Sequence, residues 1–316
     1  MKKQIPIIMD CDPGHDDAIA LVLAAASPQL DIRCVTTTAG NQTLEKTTYN
    51  ALRILTLLGR TEIPVAKGRK VPMLAEPMQA PSVHGVSGLD GPPLPEPGQK
   101  LSPLSSVEMM AQTIRACPEP LTIVATGPLT NVAGLLLAHP ELKERIARIS
   151  LMGGGLCHGN WTPAAEFNIL VDPEAADIVY QSGIPITMAG LDVTEKAVLY
   201  EEDFARIRAV GNRVAVTVAD WLDFFYAYHK KLGYAGATVH DPVAVTALIR
   251  PEILTARPVH VDIETDGDYC RGATVADWFG VTGKALNVTA LTDIDREAFA
   301  ALIVEAVSFY QEEGKA

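Results

Sequence analysis

The sequence predicts an α/β protein, built as a single-domain, open, mainly parallel, doubly wound sheet with helices on both faces. Short apolar runs alternate with helical segments along the 316 residues, which is typical of repeated β–α units. Polar residues follow several of these runs, as expected where parallel strands end at a ligand site. With 48% hydrophobic and 20% charged residues, the composition is that of a globular protein with a large core.

The first part of the chain alternates between strand and helix patterns. The run IPIIM at 5–9 predicts a buried strand, and AIALVLAAA at 18–26 predicts the helix that follows it. LDIRCVTTT at 30–38 predicts a second strand. A helix is predicted near 44–58, where leucines recur at helical spacing, and Gly59 ends it.

The same alternation continues towards the C-terminus. Three further strands are predicted at 121–126, 145–152 and 184–190, and a helix is predicted at 130–138. Apolar residues recur with a 3.6-residue period from 299 to 310, which predicts the last helix.

Two long segments lack a regular pattern. Residues 69–104 contain GPPLPEPG, which cannot continue a helix or strand, and residues 153–171 begin with a run of glycines. Long loops in a compact domain are often functional. Because no repeat, low-complexity tract or linker divides the chain, residues 1–316 are predicted to form one domain.

The charge and the cysteine content exclude several classes of protein. The net charge is −12 without a basic stripe, so nucleic acid is an unsuitable partner. Five scattered cysteines without a CxxC pair indicate a reducing compartment and no disulfide framework. The first ten residues hold only a five-residue apolar run, too short for a signal peptide or a membrane span. These features predict a cytoplasmic protein of the size of an enzyme that does not bind membranes.

The segment DCDPGHDDA at 10–18 crowds four carboxylates at the end of a predicted buried strand. Asp10, Asp12, Asp16 and Asp17 repel one another when ionised and resist leaving water. A shared hard divalent cation makes such crowding favourable, and Ca²⁺ takes about six to eight oxygen ligands. Zinc is less suitable because the sequence has no histidine–cysteine cluster.

Polar residues also follow the other predicted strands. The carboxyl ends of parallel strands meet at one edge of the sheet, so these side chains are expected to lie near the acid cluster. Most of them offer carboxylate, carbonyl or amide groups. The residues are Asn41, Thr126, Asn160, Glu166, Asn168, His240 and Asp241.

Each of these residues also has an ordinary structural interpretation. Asp16 or Asp17 alone is better explained as a cap of the following helix. Asp241 precedes a proline and suits an N-cap about as well as a ligand, whereas Asp172, also before a proline, is interpreted as a cap. Capping needs one acid and not four, so the cluster favours a cation site. Four other residues, taken singly, are explained as turn or hydrogen-bonded positions: Asn41, Asn168, His84 and His240.

Together, the motifs resemble those of the nucleoside hydrolase family, whose members cleave the N-glycosidic bond of ribonucleosides. The resemblance covers nearly the whole chain and is strongest to the bacterial pyrimidine-specific ribonucleoside hydrolases. It implies a nucleoside hydrolase-like fold and release of free base and ribose from uridine or cytidine. The motifs are DCDPGHDDAIA, AGNQT, VHGVSGLDG, TGPLTN, GNWTPAAEFNILVDPEAA and VHDP.

The resemblance also implies roles for individual residues. Asp12, Asp17, the carbonyl of Thr126 and Asp241 match calcium ligands, and Asp10 matches a supporting position. Asp12 further matches the base that activates a Ca²⁺-bound water for attack on C1′. His84 and His240 match catalytic residues that face the nucleobase of the substrate. The substrate-binding positions are Asp16, Asn41, Asn160, Glu166, Phe167 and Asn168. Members of the family are homo-oligomers, so a dimer or tetramer is expected.

Rival functions differ in the residues they require. A haloacid dehalogenase-type phosphatase requires a threonine soon after its DxD motif and an acidic loop later in the sequence. In this chain Pro13-Gly14-His15 follow the motif instead. An EF-hand loop starting at Asp10 needs glycine at 15 and glutamate at 21, where the chain has His15 and Leu21. A broad or purine-accepting nucleoside hydrolase and a nucleoside-binding protein without catalysis stay open as alternatives.

Overall fold

A computed structural model describes residues 3–310, so residues 1–2 and 311–316 of the predicted domain lie outside the described residues. The strands are β1 (Ile5–Cys11), β2 (Leu30–Thr37), β3 (Val65–Lys67), β4 (Leu121–Ala125), β5 (Ile146–Met152), β6 (Ile186–Ala189), β7 (Val198–Leu199), β8 (Ala237–Thr238), β9 (Leu254–Ile263), β10 (Thr274–Asp277) and β11 (Val288–Ile294). The α-helices are α1 (His15–Ala26), α2 (Leu44–Leu57), α3 (Pro81–His84), α4 (Ser106–Ala116), α5 (Thr130–Ala138), α6 (Phe167–Val171), α7 (Pro173–Tyr180), α8 (Leu191–Thr194), α9 (Glu201–Ala209), α10 (Arg213–Lys231), α11 (Pro242–Ile249) and α12 (Arg296–Ser308). Short 3₁₀ helices span Pro140–Arg145 and Pro251–Ile253.

Nine strands form one open sheet in the order β10-β9-β11-β6-β5-β4-β1-β2-β3. Seven strands are parallel to one another, namely β11, β6, β5, β4, β1, β2 and β3. Strands β9 and β10 add an antiparallel edge beside β11. A separate pair, β7 and β8, is antiparallel. The mainly parallel sheet that the sequence predicts is therefore confirmed, with an antiparallel edge that the sequence did not predict.

Strand β1 contributes side chains to both faces of the sheet. Ile7 and Met9 are fully buried in an apolar cluster that includes residues of α1, α2, α10, α11 and α12. Ile8 points to the opposite face and is fully buried in a second cluster with residues of α4, α5 and α7. Helices thus cover both faces, as predicted.

The order of the strands reverses at β1. This strand pairs with β2 on one side and with β4 on the other, although β4 comes more than a hundred residues later in the sequence. Such a switch point opens a crevice beyond the carboxyl ends of the strands, where ligands of α/β proteins bind. The segment at 10–18 lies at this point.

The first helix begins earlier than the apolar pattern indicated. Helix α1 starts at His15, with Gly14 at its N-cap, and Asp16 and Asp17 lie in its first turn. The predicted start at residue 18 is therefore wrong. The first turn consists of polar residues, which give no apolar periodicity. Acids in a first turn are favourable because they complement the helix dipole.

The two predicted loop segments are largely irregular. Residues 69–104 contain one short helix, α3, which ends at His84, and residues 153–166 precede α6 without a helix or strand. Both segments reach the carboxyl edge of the sheet, where they supply side chains to the cavity described below.

Helix α10 is 19 residues long and directs aromatic side chains towards the same edge. Asn212 caps its start by accepting a hydrogen bond from the Ala215 N–H (2.8 Å), and Trp221 and Phe225 are buried on its inner face. In the part of the chain from 3 to 310, none of the helices combines the length and the apolar character needed to cross a membrane.

Candidate active site

A cavity of about 430 Å³ lies beyond the carboxyl ends of β1, β2 and β4. Most of the residues predicted for the site line its wall. Asp10, Asp12 and Asp17 do not line it, because they are fully or almost fully buried beneath its floor. The predicted residues in the wall are Asp16, Asn41, His84, Thr126, Asn160, Glu166, Phe167, Asn168, His240 and Asp241.

Three buried acids converge at the floor of this cavity. Asp16, Asp17 and Asp241 each bring one carboxylate oxygen within 4.8 Å of the others. Burial, together with the charge of Asp17, raises the pKa of Asp16 to about 7. Burial and the neighbouring acids also raise the pKa of Asp241 well above its ordinary value. The arrangement is one that a cation would stabilise.

Asp12 lies next to this group but is held differently. Its Oδ2 accepts a hydrogen bond from the backbone N–H of Asn41 (2.6 Å), whereas its buried Oδ1 has no partner among residues 3–310. Burial, with the charge of Asp17 as the next cause, raises its pKa well above the ordinary value. The carboxylate fits between Gly40 and Gly127, where a Cβ on either residue would collide with it.

Asp17 both caps a helix and faces the acid cluster. It accepts hydrogen bonds from the N–H of Gly14 (3.1 Å) and from the side chains of Asn41 (3.1 Å) and Thr126 (2.7 Å). The capping interpretation is thus correct for Asp17, but it does not exclude a role at the floor of the cavity.

The two Asp-Pro sequences have different partners. Asp172 caps α7 by accepting a hydrogen bond from the Ala175 N–H (3.2 Å), and it also accepts one from the Thr130 hydroxyl (2.6 Å). The capping interpretation of Asp172 is confirmed. Asp241 occupies the N-cap position of α11 without any side-chain cap bond. Its carboxylate is directed to the acid cluster instead.

Asp10 links β1 to β2 and α5 by hydrogen bonds beneath the cavity. One carboxylate oxygen accepts hydrogen bonds from the side chains of Thr36 (2.6 Å) and Asn131 (2.8 Å), on β2 and α5. Burial raises its pKa to about 7. Since it does not reach the cavity, its contacts are those of a supporting residue.

Glu166 and Asn168 form the opposite wall. Glu166 caps α6, where it accepts hydrogen bonds from the N–H groups of Asn168 (2.9 Å) and Gly154 (2.9 Å), and burial raises its pKa to about 7. The side chain of Asn168 donates to the carbonyl of Thr126 (2.9 Å), which is a predicted calcium ligand.

His84 is held in a cluster of aromatic rings. Its ring centroid lies 5.4 Å from those of His15 and Phe225, which are themselves 5.5 Å apart, so the three rings form a triangular cluster. The backbone N–H of His15 donates to its Nδ1 (3.3 Å). Burial lowers the pKa of His84 well below the ordinary value, so that the neutral ring is favoured.

His240 faces the cavity from the segment before α11. Its Nδ1 lies 2.8 Å from the hydroxyl of Thr194, and burial lowers its pKa to about 3. His240, Asp16 and Asp241 all line the cavity. The histidine and the acid cluster therefore share one wall.

Several residues in the wall were missed by the sequence analysis. They come mainly from α10, whose aromatic run was not distinguished from core residues, and from the loop before α6. His15 was visible inside DCDPGHDDA, but its contact with His84 spans 69 residues of sequence. Among the missed residues that line the cavity are His158, Trp161, Glu195, Phe225 and His229.

Comparisons with known proteins agree with this architecture. A family model described as inosine-uridine preferring nucleoside hydrolase matches residues 7–301. The pyrimidine-specific ribonucleoside hydrolases RihA of Citrobacter koseri and of Escherichia coli K12 are each 56% identical over 308 residues, covering 97% of this chain and 99% of the relative. The solved structure of a purine-preferring ribonucleoside hydrolase from Gardnerella vaginalis matches with a TM-score of 0.90 at 31% identity, over 96% of this chain and 98% of the other. The chain thus belongs to the inosine-uridine preferring nucleoside hydrolase family.

Proposed function

We propose that this protein hydrolyses the N-glycosidic bond of ribonucleosides and prefers pyrimidine nucleosides such as uridine and cytidine. The products are free base and ribose. The observation that carries the proposal is one cavity whose walls combine buried acids, amides and two neutral histidines. The 56% identity to relatives named pyrimidine-specific supports the base preference.

The residues at the cavity floor fit a divalent cation, and we propose that it is Ca²⁺. Carboxylates of Asp12, Asp17 and Asp241 and the carbonyl of Thr126 would hold it, because hard oxygen donors suit this ion. Carboxylate oxygens of Asp17 and Asp241 lie within 4.8 Å of each other at a buried position, which supports this assignment. When bound, the ion offsets the acid charges and lowers the pKa of water.

Asp12 acts as the general base in this proposal. Its Oδ1 has no hydrogen-bond donor among the described residues, so it is available to accept a proton from the attacking water. Its other oxygen is anchored by the Asn41 N–H, which fixes the orientation of the carboxylate.

The ribose is held by polar groups on the other side of the cavity. Asp16, Asn160, Glu166 and Asn168 offer acceptors and donors to its hydroxyls. Cleavage builds positive charge on the sugar, as in other glycoside hydrolyses, and the carboxylates stabilise that charge. Asn41 supports the acids, and Phe167 packs against Trp161 with ring centroids 4.8 Å apart at the edge of the site.

The base is expected to lie against the histidines and aromatic rings. His84 and His240 would donate hydrogen bonds to the departing base, whose negative charge needs a donor. Phe225, Tyr228 and Tyr234 supply flat surfaces beside it.

The whole chain, residues 1–316, is proposed to work as one catalytic domain within a homo-oligomer, either a dimer or a tetramer. The family match across residues 7–301 supports the single domain. Sedimentation equilibrium of the purified protein measures the assembly, and a monomer at micromolar concentration would contradict it.

A substrate panel tests the proposed function. Uridine, cytidine, inosine and adenosine are incubated with the calcium-loaded protein, and the ribose released is measured. Faster release from uridine and cytidine is expected. A similar or faster release from inosine and adenosine would favour the alternative, a broad or purine-accepting hydrolase, for which the likeness to the purine-preferring Gardnerella enzyme is the supporting observation. Binding without release of ribose would instead indicate a non-catalytic nucleoside-binding protein.

A further inference from the structure

Thr194 contacts a histidine of the cavity wall from behind. It ends α8 and is fully buried. Its Oγ1 lies 2.8 Å from Nδ1 of His240. Within residues 3–310, this hydroxyl has no other hydrogen-bond partner.

The position of the hydrogen atoms follows from counting donors and acceptors. A threonine hydroxyl carries one hydrogen, and a neutral imidazole carries one on either Nδ1 or Nε2. If His240 donated from Nδ1, the buried hydroxyl hydrogen of Thr194 would have no acceptor in the described part of the chain, which is unfavourable. If Thr194 donates, both groups are satisfied. Nδ1 then carries no hydrogen, and the ring of His240 is neutral with its hydrogen on Nε2.

We propose that Thr194 is a positioning residue that keeps the hydrogen of His240 on Nε2, where it donates to the departing base. His240 lines the cavity, and with Nδ1 occupied by Thr194, Nε2 is the ring nitrogen left for a ligand. The inference rests on the proposed function, since it concerns the leaving group of that reaction.

The tautomer matters because of the charge on the base. When the glycosidic bond breaks, its electron pair stays on the base, and in a pyrimidine the negative charge spreads onto ring nitrogens and carbonyl oxygens. An N–H at Nε2 stabilises this charge by donating a hydrogen bond, and His240 keeps its proton throughout. In the other tautomer, Nε2 would present a lone pair to the same charge and repel it.

The test compares Thr194→Val with Thr194→Ser in the calcium-loaded enzyme. Valine keeps the shape of threonine but cannot donate, whereas serine retains the hydroxyl. Thr246→Val is the matched control, because Thr246 is also fully buried but its hydroxyl donates to the Pro242 carbonyl inside α11. Each variant is assayed with uridine and with p-nitrophenyl riboside, whose leaving group is stable without a hydrogen bond.

Thr194→Val is expected to lower kcat/KM for uridine at least about tenfold and to leave p-nitrophenyl riboside within about twofold. Thr194→Ser should retain uridine cleavage close to that of the unmodified enzyme. Thr246→Val should change kcat/KM to a similar extent for both substrates. Equal losses on both substrates, or unchanged uridine cleavage, would overturn the proposal. If the unmodified enzyme releases ribose from neither substrate, the proposed function itself fails.

Nitrogen-15 NMR of the unmodified protein provides a readout that needs no variant. A ring nitrogen that carries hydrogen gives a signal well separated from one that does not. We expect His240 to be protonated at Nε2 and unprotonated at Nδ1. The opposite assignment would overturn the proposal even if Thr194→Val failed to fold.

Discussion

The two carboxylate oxygens of Asp12 differ in their environment. Oδ2 is occupied by the Asn41 N–H, and Oδ1 is buried without a partner among the described residues. Asp17, by contrast, accepts hydrogen bonds at both of its oxygens. Of these two acids, Asp12 is therefore better suited to accept a proton.

Asp12→Asn is expected to lower kcat for uridine by about 10²–10⁴-fold, with a much smaller change in KM. The amide keeps the size of the side chain but cannot accept the proton of water. Steady-state kinetics at saturating calcium measures both constants. Asp172→Asn is the control, since it makes the same chemical change at a buried cap outside the cavity. A kcat within about threefold of the unmodified enzyme would remove Asp12 from the role of base.

His84→Ala tests the part of the site that is proposed to face the nucleobase. Its ring packs against those of both His15 and Phe225, so its orientation is restricted. If it donates to the departing base, its loss should slow uridine cleavage strongly and spare p-nitrophenyl riboside. The measurement is the ratio of kcat/KM for the two substrates. A variant that loses activity equally on both would show that His84 supports the site rather than the leaving group.

Single residues were predictable where their chemistry was concentrated in a short motif. The four acids of DCDPGHDDA and the histidine and acid before Pro242 were identified because each stood in a distinctive local sequence. Thr194 was not identified, because its importance comes from a contact with His240, 46 residues later in the sequence. A single buried threonine carries no local signal of that kind.

At the scale of elements, two acids at equivalent helix starts make different contacts. Asp172 and Asp241 both precede a proline at the start of a helix, but only Asp172 makes the cap bond. The sequence pattern is the same in both cases and could not separate them. The difference arises from the surrounding residues. Asp172 accepts a hydrogen bond from the Thr130 hydroxyl, whereas the carboxylate of Asp241 lies close to those of two other acids.

Alanine at each position should therefore have opposite effects on stability. Asp172→Ala removes a cap and should lower the free energy of unfolding by about 0.5–2 kcal/mol, with or without calcium. Asp241→Ala removes a buried acid from a crowded cluster and should stabilise the calcium-free protein while weakening its calcium affinity. Urea unfolding and calcium titration of both variants measure these effects. Destabilisation of the calcium-free protein by Asp241→Ala would contradict this account.

Strand and helix types were predicted better than their pairing. The strands β1, β2, β4, β5 and β6 were predicted because buried parallel strands have continuous apolar runs. The antiparallel edge was not predicted, since β9 carries several exposed residues and its partners are set by long-range register. The short strand β3 has only three residues and gives no periodic signal.

For the whole molecule, several of the 38 acidic residues are gathered at one buried site. Burial raises the pKa of Asp16 to about 7 and raises those of Asp12, Asp17 and Asp241 above their ordinary values. In the calcium-free protein these acids keep protons that the unfolded chain releases from about pH 4 upwards. They therefore make the folded state less stable as the pH rises from about 4 to 7. Buried histidines with lowered pKa values oppose this trend, but they are equally present with and without calcium.

Stabilisation by calcium should consequently increase with pH. The proposed ion would bind ionised carboxylates and so displace protons, which would make its apparent affinity higher at pH 7 than at pH 5. At a calcium concentration of about 100 times Kd, the expected stabilisation is about 2.7 kcal/mol. Thermal unfolding at pH 5, 6 and 7, with excess calcium or with chelator, measures the difference between the paired samples and so cancels the contribution of the histidines. Asp172→Asn should retain the full pH dependence, because its carboxylate lies outside the cluster. A calcium-induced shift of the same size at pH 5 and pH 7 would show that the ion does not bind at these raised-pKa acids.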